Sequence, residues 1–157
     1  MKQIELGCPK KCVGQICIDL YPEDDGVIAG EAVRYLGYQE ENSIDRIYSK
    51  NMLEHITEVN ELFTEAKRVL RSGGAFVIIT DNAAFLPYHV PIIHRWGWGA
   101  HSSNKYFHNY KYKKCGVHYL LFTKVGLKNI FEKYGFIVKE CHLQTFGARI
   151  YIEGIKK

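Results

Sequence analysis

The side chains best suited to chemistry in this 157-residue chain are its cysteines and histidines. Cys8, Cys12 and Cys17 lie close together near the N-terminus, and cysteine thiolates are common ligands of zinc. Their C-x3-C-x4-C spacing is not a common zinc spacing, however, and no C-x2-C pair accompanies it. The chain has five cysteines, an odd number, and begins without an apolar stretch of signal-peptide length. We therefore expect reduced thiols rather than disulfides, and no metal.

Several histidines follow in the second half of the chain. Their spacings match no helix-borne pair of metal ligands such as H-E-x-x-H, so we predict no metal site here either. The sequence also contains no Ser-His-Asp or Cys-His pattern of the kind that activates a nucleophile. The histidines in question are His89, His94, His101 and His108.

The elements that must position such side chains alternate between strand and helix. Apolar residues at helical spacing predict amphipathic helices over 57–71 and 124–134, with Thr57 and Thr123 as N-caps. Gly73 and Gly74 are expected to stop the first helix. Seven short apolar segments predict strands at 4–6, 16–18, 27–29, 43–49, 75–80, 136–141 and 146–153. The alternation indicates one α/β domain over residues 1–157.

Residues 81–118 break this alternation. They hold both tryptophans and most of the histidines, with no clear strand or helix period. A segment of this length without a period is typical of a binding lid or of disorder, and its aromatic content favours order. We predict a lid or substrate-binding insertion; the alternatives are docking elsewhere on the domain or a homodimer interface.

The segments at the strand ends, taken in order, are similar to a known family. They are Glu5-Leu6-Gly7-Cys8, Asp19-Leu20-Tyr21-Pro22, Gly30-Glu31-Ala32, Tyr48-Ser49-Lys50-Asn51, Leu53-Glu54-His55 and Arg68-Val69-Leu70-Arg71-Ser72-Gly73-Gly74. The set resembles the class I S-adenosylmethionine-dependent methyltransferases, and most of all their compact type-11 branch. The resemblance implies an α/β fold with a Rossmann-like, mostly parallel, doubly wound sheet of seven strands, the last of them antiparallel.

The same resemblance implies S-adenosylmethionine as the cofactor. It assigns Asp19 to the two ribose hydroxyls, and Glu31 to the adenine end with the Ala32 backbone beside it. Glu5 and Gly7 match the beginning of the glycine-rich motif, where the backbone approaches the methionine moiety. Each of these also has an ordinary interpretation, as a turn or helix-start residue. The remaining cofactor residues that the resemblance implies are Cys8, Leu20, Ser49 and Asn51.

The first motif departs from the family pattern. The second glycine is missing, because the chain continues from Gly7 as Cys8-Pro9-Lys10-Lys11. The interval to Gln15 is also short for a parallel crossover of about a dozen residues, so the first crossover helix is expected to be shortened or absent. A non-catalytic methyltransferase-like binding or regulatory domain is therefore the alternative. A dinucleotide-dependent oxidoreductase is disfavoured, since the chain has no G-x-G-x-x-G.

Methyl transfer from a sulfonium is an in-line displacement that depends on alignment, with a general base for a hydroxyl acceptor. His55 follows the fourth strand, close to the methyl-transfer site that the resemblance implies, and either supports the loop or acts in catalysis. His118 matches a histidine found at this place in relatives, and serves as an acceptor-site base or packs in a loop. Tyr88 and Trp96 are the predicted substrate-binding residues, with packing of the lid as the other interpretation.

The sequence thus predicts S-adenosylmethionine-dependent methyl transfer to an unidentified acceptor, with a small molecule favoured. A nucleic-acid acceptor has little support, because the pI of about 8.7 is only mildly basic. The one basic cluster, Lys111, Lys113 and Lys114, is either a solvated loop or a contact with an anionic substrate. No apolar run is long enough to span a bilayer, and we expect a cytoplasmic protein.

Overall fold

The computed structural model describes residues 1–10, 16–86 and 119–157. The strands in these ranges are β1 (Gln3–Leu6), β2 (Ile16–Asp19), β3 (Ile28–Ala29), β4 (Ile44–Lys50), β5 (Leu70–Asp81), β6 (Phe136–Gln144) and β7 (Arg149–Lys156). The α-helices are α1 (Ala32–Gly37), α2 (Val59–Val69) and α3 (Lys124–Lys133), and short 3-10 turns span Leu53–His55 and Thr145–Gly147.

The strands form one sheet in the order β3-β2-β1-β4-β5-β7-β6. Every pairing among the first five strands of this order is parallel, whereas β7 is antiparallel to both β5 and β6. The strand β7 therefore runs against the others. This confirms the predicted mostly parallel sheet of seven strands with the last one antiparallel.

One face of the sheet carries the main core. Alternate residues of β1, Ile4 and Leu6, are fully buried there, and all three α-helices add apolar side chains to the same cluster. Leu36 comes from α1, Phe63 from α2 and Phe131 from α3. The aromatic rings of Phe63 and Phe131 meet edge to face with centroids 5.0 Å apart, a favoured aromatic geometry. The described helices thus share one hydrophobic core.

The connections on the opposite side of β1 and β2 are compact. Residues 20–27 between β2 and β3 form turns and contain no helix, and neither do residues 7–10 after β1. The two connections are joined by a backbone hydrogen bond of 2.7 Å from Glu23 N–H to Pro9 O, and by the exposed Lys10–Glu23 ion pair. The predicted reduction of the first crossover is tested only for residues 7–10, because 11–15 lie outside the described ranges.

Two predicted helix boundaries differ from the structure. Thr57 is not the N-cap of α2: the cap position is Glu58, without a side-chain hydrogen bond to the helix. The helix also ends at Val69, before Gly73 and Gly74, which lie inside β5. The predicted cap of α3 is confirmed, since the Thr123 hydroxyl accepts a 3.1 Å hydrogen bond from Gly126 N–H.

Tertiary contacts explain the early end of α2. Its last carbonyls need partners beyond the helix, and a glycine motif is only one way to supply them. Here the backbone N–H of Ser43 donates to Val69 O at 2.9 Å, and Lys156 Nζ donates to Leu70 O at 2.7 Å. Because neighbouring elements satisfy these groups, the chain enters β5 directly at Leu70.

The start of the last strand is also shifted. The prediction placed it at 146, but the 3-10 turn Thr145–Gly147 precedes β7, which begins at Arg149. Thr145 and Phe146 have positive φ angles of 51° and 56°, and Phe146 is fully exposed. An exposed aromatic residue in a tight turn resembles a strand residue in sequence, which accounts for the error.

Candidate functional site

The candidate site lies along the edge of the sheet formed by the carboxyl ends of β1 to β5. Since these strands are parallel, the residues that follow them meet at one edge, which is where ligands bind in open α/β sheets. Of the predicted cofactor residues, those after β1, β2 and β3 occupy one end of this edge. Ser49 and Asn51 occupy the end of β4, in the middle of the sheet.

Gly7 forms the turn directly after β1. Its φ is +76°, and its N–H donates to Ile18 O of β2 at 2.9 Å. A Cβ atom at this position would lie 2.6 Å from Cβ of Met52, closer than real carbon atoms approach. Both the backbone angle and the close approach therefore require glycine. The turn interpretation of Gly7 is thus supported by geometry that is present without a ligand.

Asp19 is the last residue of β2 and is half-buried. One carboxylate oxygen, Oδ1, accepts a 2.7 Å hydrogen bond from Tyr21 N–H, which forms a local turn. Its carbonyl accepts a 3.0 Å hydrogen bond from Gly30 N–H, and this bond ties the ends of β2 and β3 together. A carboxylate can accept several hydrogen bonds, so the turn contact is compatible with a further hydroxyl donor.

The neighbouring predicted residues are more open to solvent. Glu31 is the N-cap residue of α1, exposed and without a side-chain bond to the helix, and Ala32 is the first helical residue. Leu20 is 54% exposed, an unusual state for a leucine beside a polar strand end. Together with Asp19 they give this end of the edge two carboxylates and one apolar surface.

Ser49 and Asn51 lie at the end of β4. The Ser49 hydroxyl is completely buried and has no hydrogen-bond partner among the described residues. A buried polar group without a partner costs free energy, so such a group is a place where a ligand could supply the missing bond. Asn51 is exposed, has a φ of 51° and donates its N–H to Ile79 O at 2.8 Å. It holds the loop after β4 against β5.

Glu54 is a buried carboxyl that the sequence analysis did not assign to the site. It is 2% exposed, and its Oε2 accepts a 2.8 Å hydrogen bond from the Thr80 hydroxyl. Its carbonyl accepts a 2.8 Å hydrogen bond from Tyr119 N–H, so it also anchors the chain that leads into α3. Burial raises the pKa of the Glu54 carboxyl, and the hydrogen bond from Thr80 opposes that shift.

Asp81 and His55 lie beside this carboxyl. Asp81 is the last residue of β5. Burial raises its pKa, whereas the electrostatic influence of Arg149 and of His55 acts in the opposite direction. His55 is half-buried and interacts electrostatically with both carboxyls. Ionisable groups with shifted pKa values that cluster at a strand edge are typical of functional sites. The described residues thus bring His55 together with two acids at the ends of β4 and β5.

Three predicted site residues are not covered. His118, Tyr88 and Trp96 lie outside the described residues, as does nearly all of the predicted lid at 81–118. Of the predicted cofactor residues, Glu5 and Cys8 are brought close together, with Cys17 of β2 as their neighbour. Asp81 could have been found from the sequence, because it directly follows the apolar run 75–80; the burial of Glu54 could not.

Comparison with known proteins identifies the family that this edge resembles. Residues 19–78 match the family model described as a methyltransferase domain. The matched region runs from the end of β2 through β4 and α2 into β5. No curated protein matches the sequence significantly.

Solved structures share the fold at low sequence identity. A S-adenosylmethionine-dependent methyltransferase from Archaeoglobus fulgidus has a TM-score of 0.70 at 15% identity, with 99% of this chain and 86% of that chain covered. A chain from the complex of the Haloferax volcanii Trm112 methyltransferase activator with a methyltransferase has a TM-score of 0.68 at 11% identity, with coverage of 98% and 81%. Phosphoethanolamine N-methyltransferase 2 of Haemonchus contortus, in complex with S-adenosylmethionine, has a TM-score of 0.65 at 15% identity, with coverage of 99% and 48%.

The family match and the fold agree with each other and with the sequence. They confirm the predicted resemblance to the class I S-adenosylmethionine-dependent methyltransferases. The family model places a methyltransferase domain over residues 19–78, and the solved structures show that the fold is shared. Among the described residues, no helix is both long and apolar enough to cross a membrane.

Proposed function

We propose that this methyltransferase-fold chain binds S-adenosylmethionine along the carboxyl ends of β1, β2 and β4 and transfers its methyl group to a small molecule. The observation that carries the proposal is the placement of Asp19, Gly7 and Ser49 at the ends of three adjacent strands. They supply a carboxylate for hydroxyl groups, a turn that requires glycine, and a buried hydroxyl that lacks a partner within the described part of the chain. When bound, the cofactor supplies a methyl group on a positively charged sulfur.

The position of each side chain along the sheet edge suggests whether it would contact the cofactor or the acceptor. Asp19 would accept hydrogen bonds from vicinal hydroxyls, and exposed Glu31 and Leu20 would flank the adenine end. The cluster of His55, Glu54 and Asp81 would lie on the acceptor side, at the ends of β4 and β5. A carboxylate or a neutral imidazole that lies within hydrogen-bond reach of an acceptor hydroxyl or amine can take a proton from it. We assign that part to His55 and Asp81, with His118 as a further sequence-based candidate.

The lid remains part of the proposal on sequence grounds. Residues 81–118 are rich in aromatic side chains, including Tyr88 and Trp96, and begin at Asp81, the last residue of β5 and a member of the acceptor-side cluster. Exclusion of water strengthens the interactions that align the reacting groups, which is the purpose we propose for this segment. A change in hydrogen exchange within 87–118 on addition of S-adenosylhomocysteine is the expected result.

Calorimetry with S-adenosylhomocysteine tests cofactor binding without knowledge of the acceptor. Asp19→Ala should weaken binding by about 1.5–3 kcal/mol, the range for a hydrogen bond to a charged group, or about 10- to 150-fold. Asp19→Asn keeps an oxygen for Tyr21 N–H but loses the charge, so it separates ligand binding from the local turn. Asp25→Ala, an exposed aspartate in the same connection, is the matched control. Unchanged affinity in both Asp19 variants would contradict the assignment.

A non-catalytic methyltransferase-like domain is the second candidate. The missing second glycine after Gly7 favours it, and a Haloferax chain of similar fold was solved together with a methyltransferase activator. Transfer of labelled methyl groups to small aromatic, sugar or anionic acceptors distinguishes the two. Tight binding of S-adenosylhomocysteine with no transfer to any acceptor class would favour the non-catalytic domain.

A further inference from the structure

We propose that Glu5, Cys8 and Cys17 form a binding site for a zinc ion on the face of the sheet opposite the main core. One ligand atom from each side chain lies within 4.8 Å of the other two, and both cysteines are buried. This site goes beyond methyl transfer, because it requires neither the cofactor nor an acceptor. It also revises the expectation from sequence spacing that no metal binds here.

The sheet itself brings the three side chains together. Glu5 of β1 and Cys17 of β2 are register partners on neighbouring parallel strands, so their side chains leave the same face. Cys8 follows the turn at Gly7, where the N–H groups of residues 7 and 8 both donate to Ile18 O, at 2.9 and 3.3 Å. This turn places Cys8 next to Cys17 and Val27 in a small buried cluster. The cysteine spacing did not indicate the site because one ligand is a carboxylate.

The donor set selects the metal. Thiolates favour Zn²⁺ or Cu(I) over Mg²⁺ and Ca²⁺, and a carboxylate oxygen as the third ligand favours Zn²⁺ over Cu(I). Zinc–sulfur bonds of about 2.3 Å place two tetrahedral sulfur ligands roughly 3.8 Å apart. The observed separations are at most 4.8 Å, so the two sulfur atoms need to approach by no more than about 1 Å, which side-chain rotation supplies.

Binding has a defined proton balance. The Cys8 thiol donates a 2.6 Å hydrogen bond to Lys10 O and gives it up when the metal binds. Both cysteines bind as thiolates, so two thiol protons pass to solvent, and a carboxylate oxygen of Glu5 is the third ligand. A solvent oxygen completes the tetrahedron. The bound ion would link the connection that follows β1 to the strand β2. Both ligand cysteines lie on the face of the sheet where the described connections contain no helix.

Zinc titration of the reduced, chelator-treated full chain tests the site. We expect a single tightly bound Zn²⁺ per chain in competition with a chromophoric chelator, and a thiolate-to-metal charge-transfer band when Co²⁺ is used instead. Cys8→Ser and Cys17→Ser should abolish both signals. Glu5→Gln should lower zinc affinity at least about 10-fold, since the loss of even an outer-shell partner has that effect. Cys141→Ser is the matched control, because Cys141 lies in β6 away from the cluster.

The outcomes that overturn the proposal are equally specific. This site is excluded if the wild-type chain binds zinc no more tightly than the Cys8→Ser variant does. It is also excluded if Cys8→Ser and Glu5→Gln both leave the zinc affinity unchanged. Circular dichroism is used to check that each variant is folded. Glu5→Gln keeps the size and shape of the side chain, so the proposal can still be tested if a cysteine variant does not fold. Glu5 and Cys8 are also among the predicted cofactor residues, so zinc is titrated in the absence of cofactor, and S-adenosylhomocysteine is titrated against Asp19→Asn in the absence of zinc. Each proposal can then fail without the other.

Discussion

At the scale of single residues, the buried carboxyl of Glu54 is the most informative group. It lies in a loop that the sequence had marked through the segment Leu53-Glu54-His55, yet nothing in that segment indicated burial. The Thr80 hydroxyl of β5 donates to this carboxyl, and the backbone N–H groups of residues 119 and 120 donate to the main-chain carbonyl of the same residue. Such contacts join residues far apart in the chain, and a pattern read locally cannot reveal them.

The raised pKa of Glu54 gives a pH-dependent stability. Because burial raises this pKa, the folded state holds a proton where the unfolded state has already released it, so wild-type stability falls as pH rises through that range. Glu54→Gln is neutral at every pH and keeps an oxygen for the Thr80 hydroxyl. We therefore expect its free energy of unfolding, relative to wild type, to increase as pH rises above about 4.5. Urea unfolding at several pH values measures the difference; a difference independent of pH would contradict the shift.

At the scale of elements, the junction of α2 and β5 shows what sequence patterns can and cannot locate. The helix and the strand were both predicted, because their apolar spacing reflects burial on the sheet. The boundary was misplaced, because the last helix carbonyls, those of Val69 and Arg68, accept hydrogen bonds from Ser43 N–H and Lys156 Nζ and do not depend on a glycine motif. Gly73 still has a φ of +76°, a backbone angle that favours glycine, although it lies in the strand and not at the end of the helix.

Substitution of Gly73 by alanine isolates the cost of that backbone angle. A Cβ at Gly73 would meet no atom within 4 Å, and the same is true at Gly30, whose φ is not positive. Gly73→Ala should therefore lower the free energy of unfolding by about 1–2 kcal/mol through strain alone. Gly30→Ala should leave it unchanged or raise it by about 0.4–1 kcal/mol, because alanine restricts the unfolded chain. Equal effects in thermal or urea unfolding would contradict the role assigned to the angle.

The candidate site was predictable to the extent that strand ends define it. Asp19 and Ser49 lie at the ends of apolar strands, and parallel strands bring such ends to one edge, so their neighbourhood followed from the pattern. The turn at Gly7 was predicted, but its steric cause, the approach of Met52, depends on how the loop after β4 folds back. The proximity of Glu5, Cys8 and Cys17 depends likewise on strand register, which the sequence does not encode locally.

At the scale of the whole molecule, a cluster of aromatic rings joins four of the described elements, α2, β5, α3 and β6. Phe63 of α2 contacts Phe76 of β5, Phe131 of α3 and Phe136 of β6, with ring centroids 5.3, 5.0 and 6.4 Å apart. These contacts connect elements that flank the acceptor side with elements at the far edge of the sheet. Loss of one ring should therefore weaken the entire domain rather than one element.

Phe63→Ala tests this cooperative core. Phe63 is fully buried, so truncation should cost about 3–5 kcal/mol, a large share of the roughly 5–15 kcal/mol that stabilises a typical domain. Phe146→Ala is the matched control, because this ring is fully exposed and its loss should change stability by no more than about 0.5 kcal/mol. Urea unfolding followed by circular dichroism and by intrinsic fluorescence should give coincident transitions for both variants. A Phe63→Ala transition that splits between the two probes would show that the elements unfold separately, contrary to a single core.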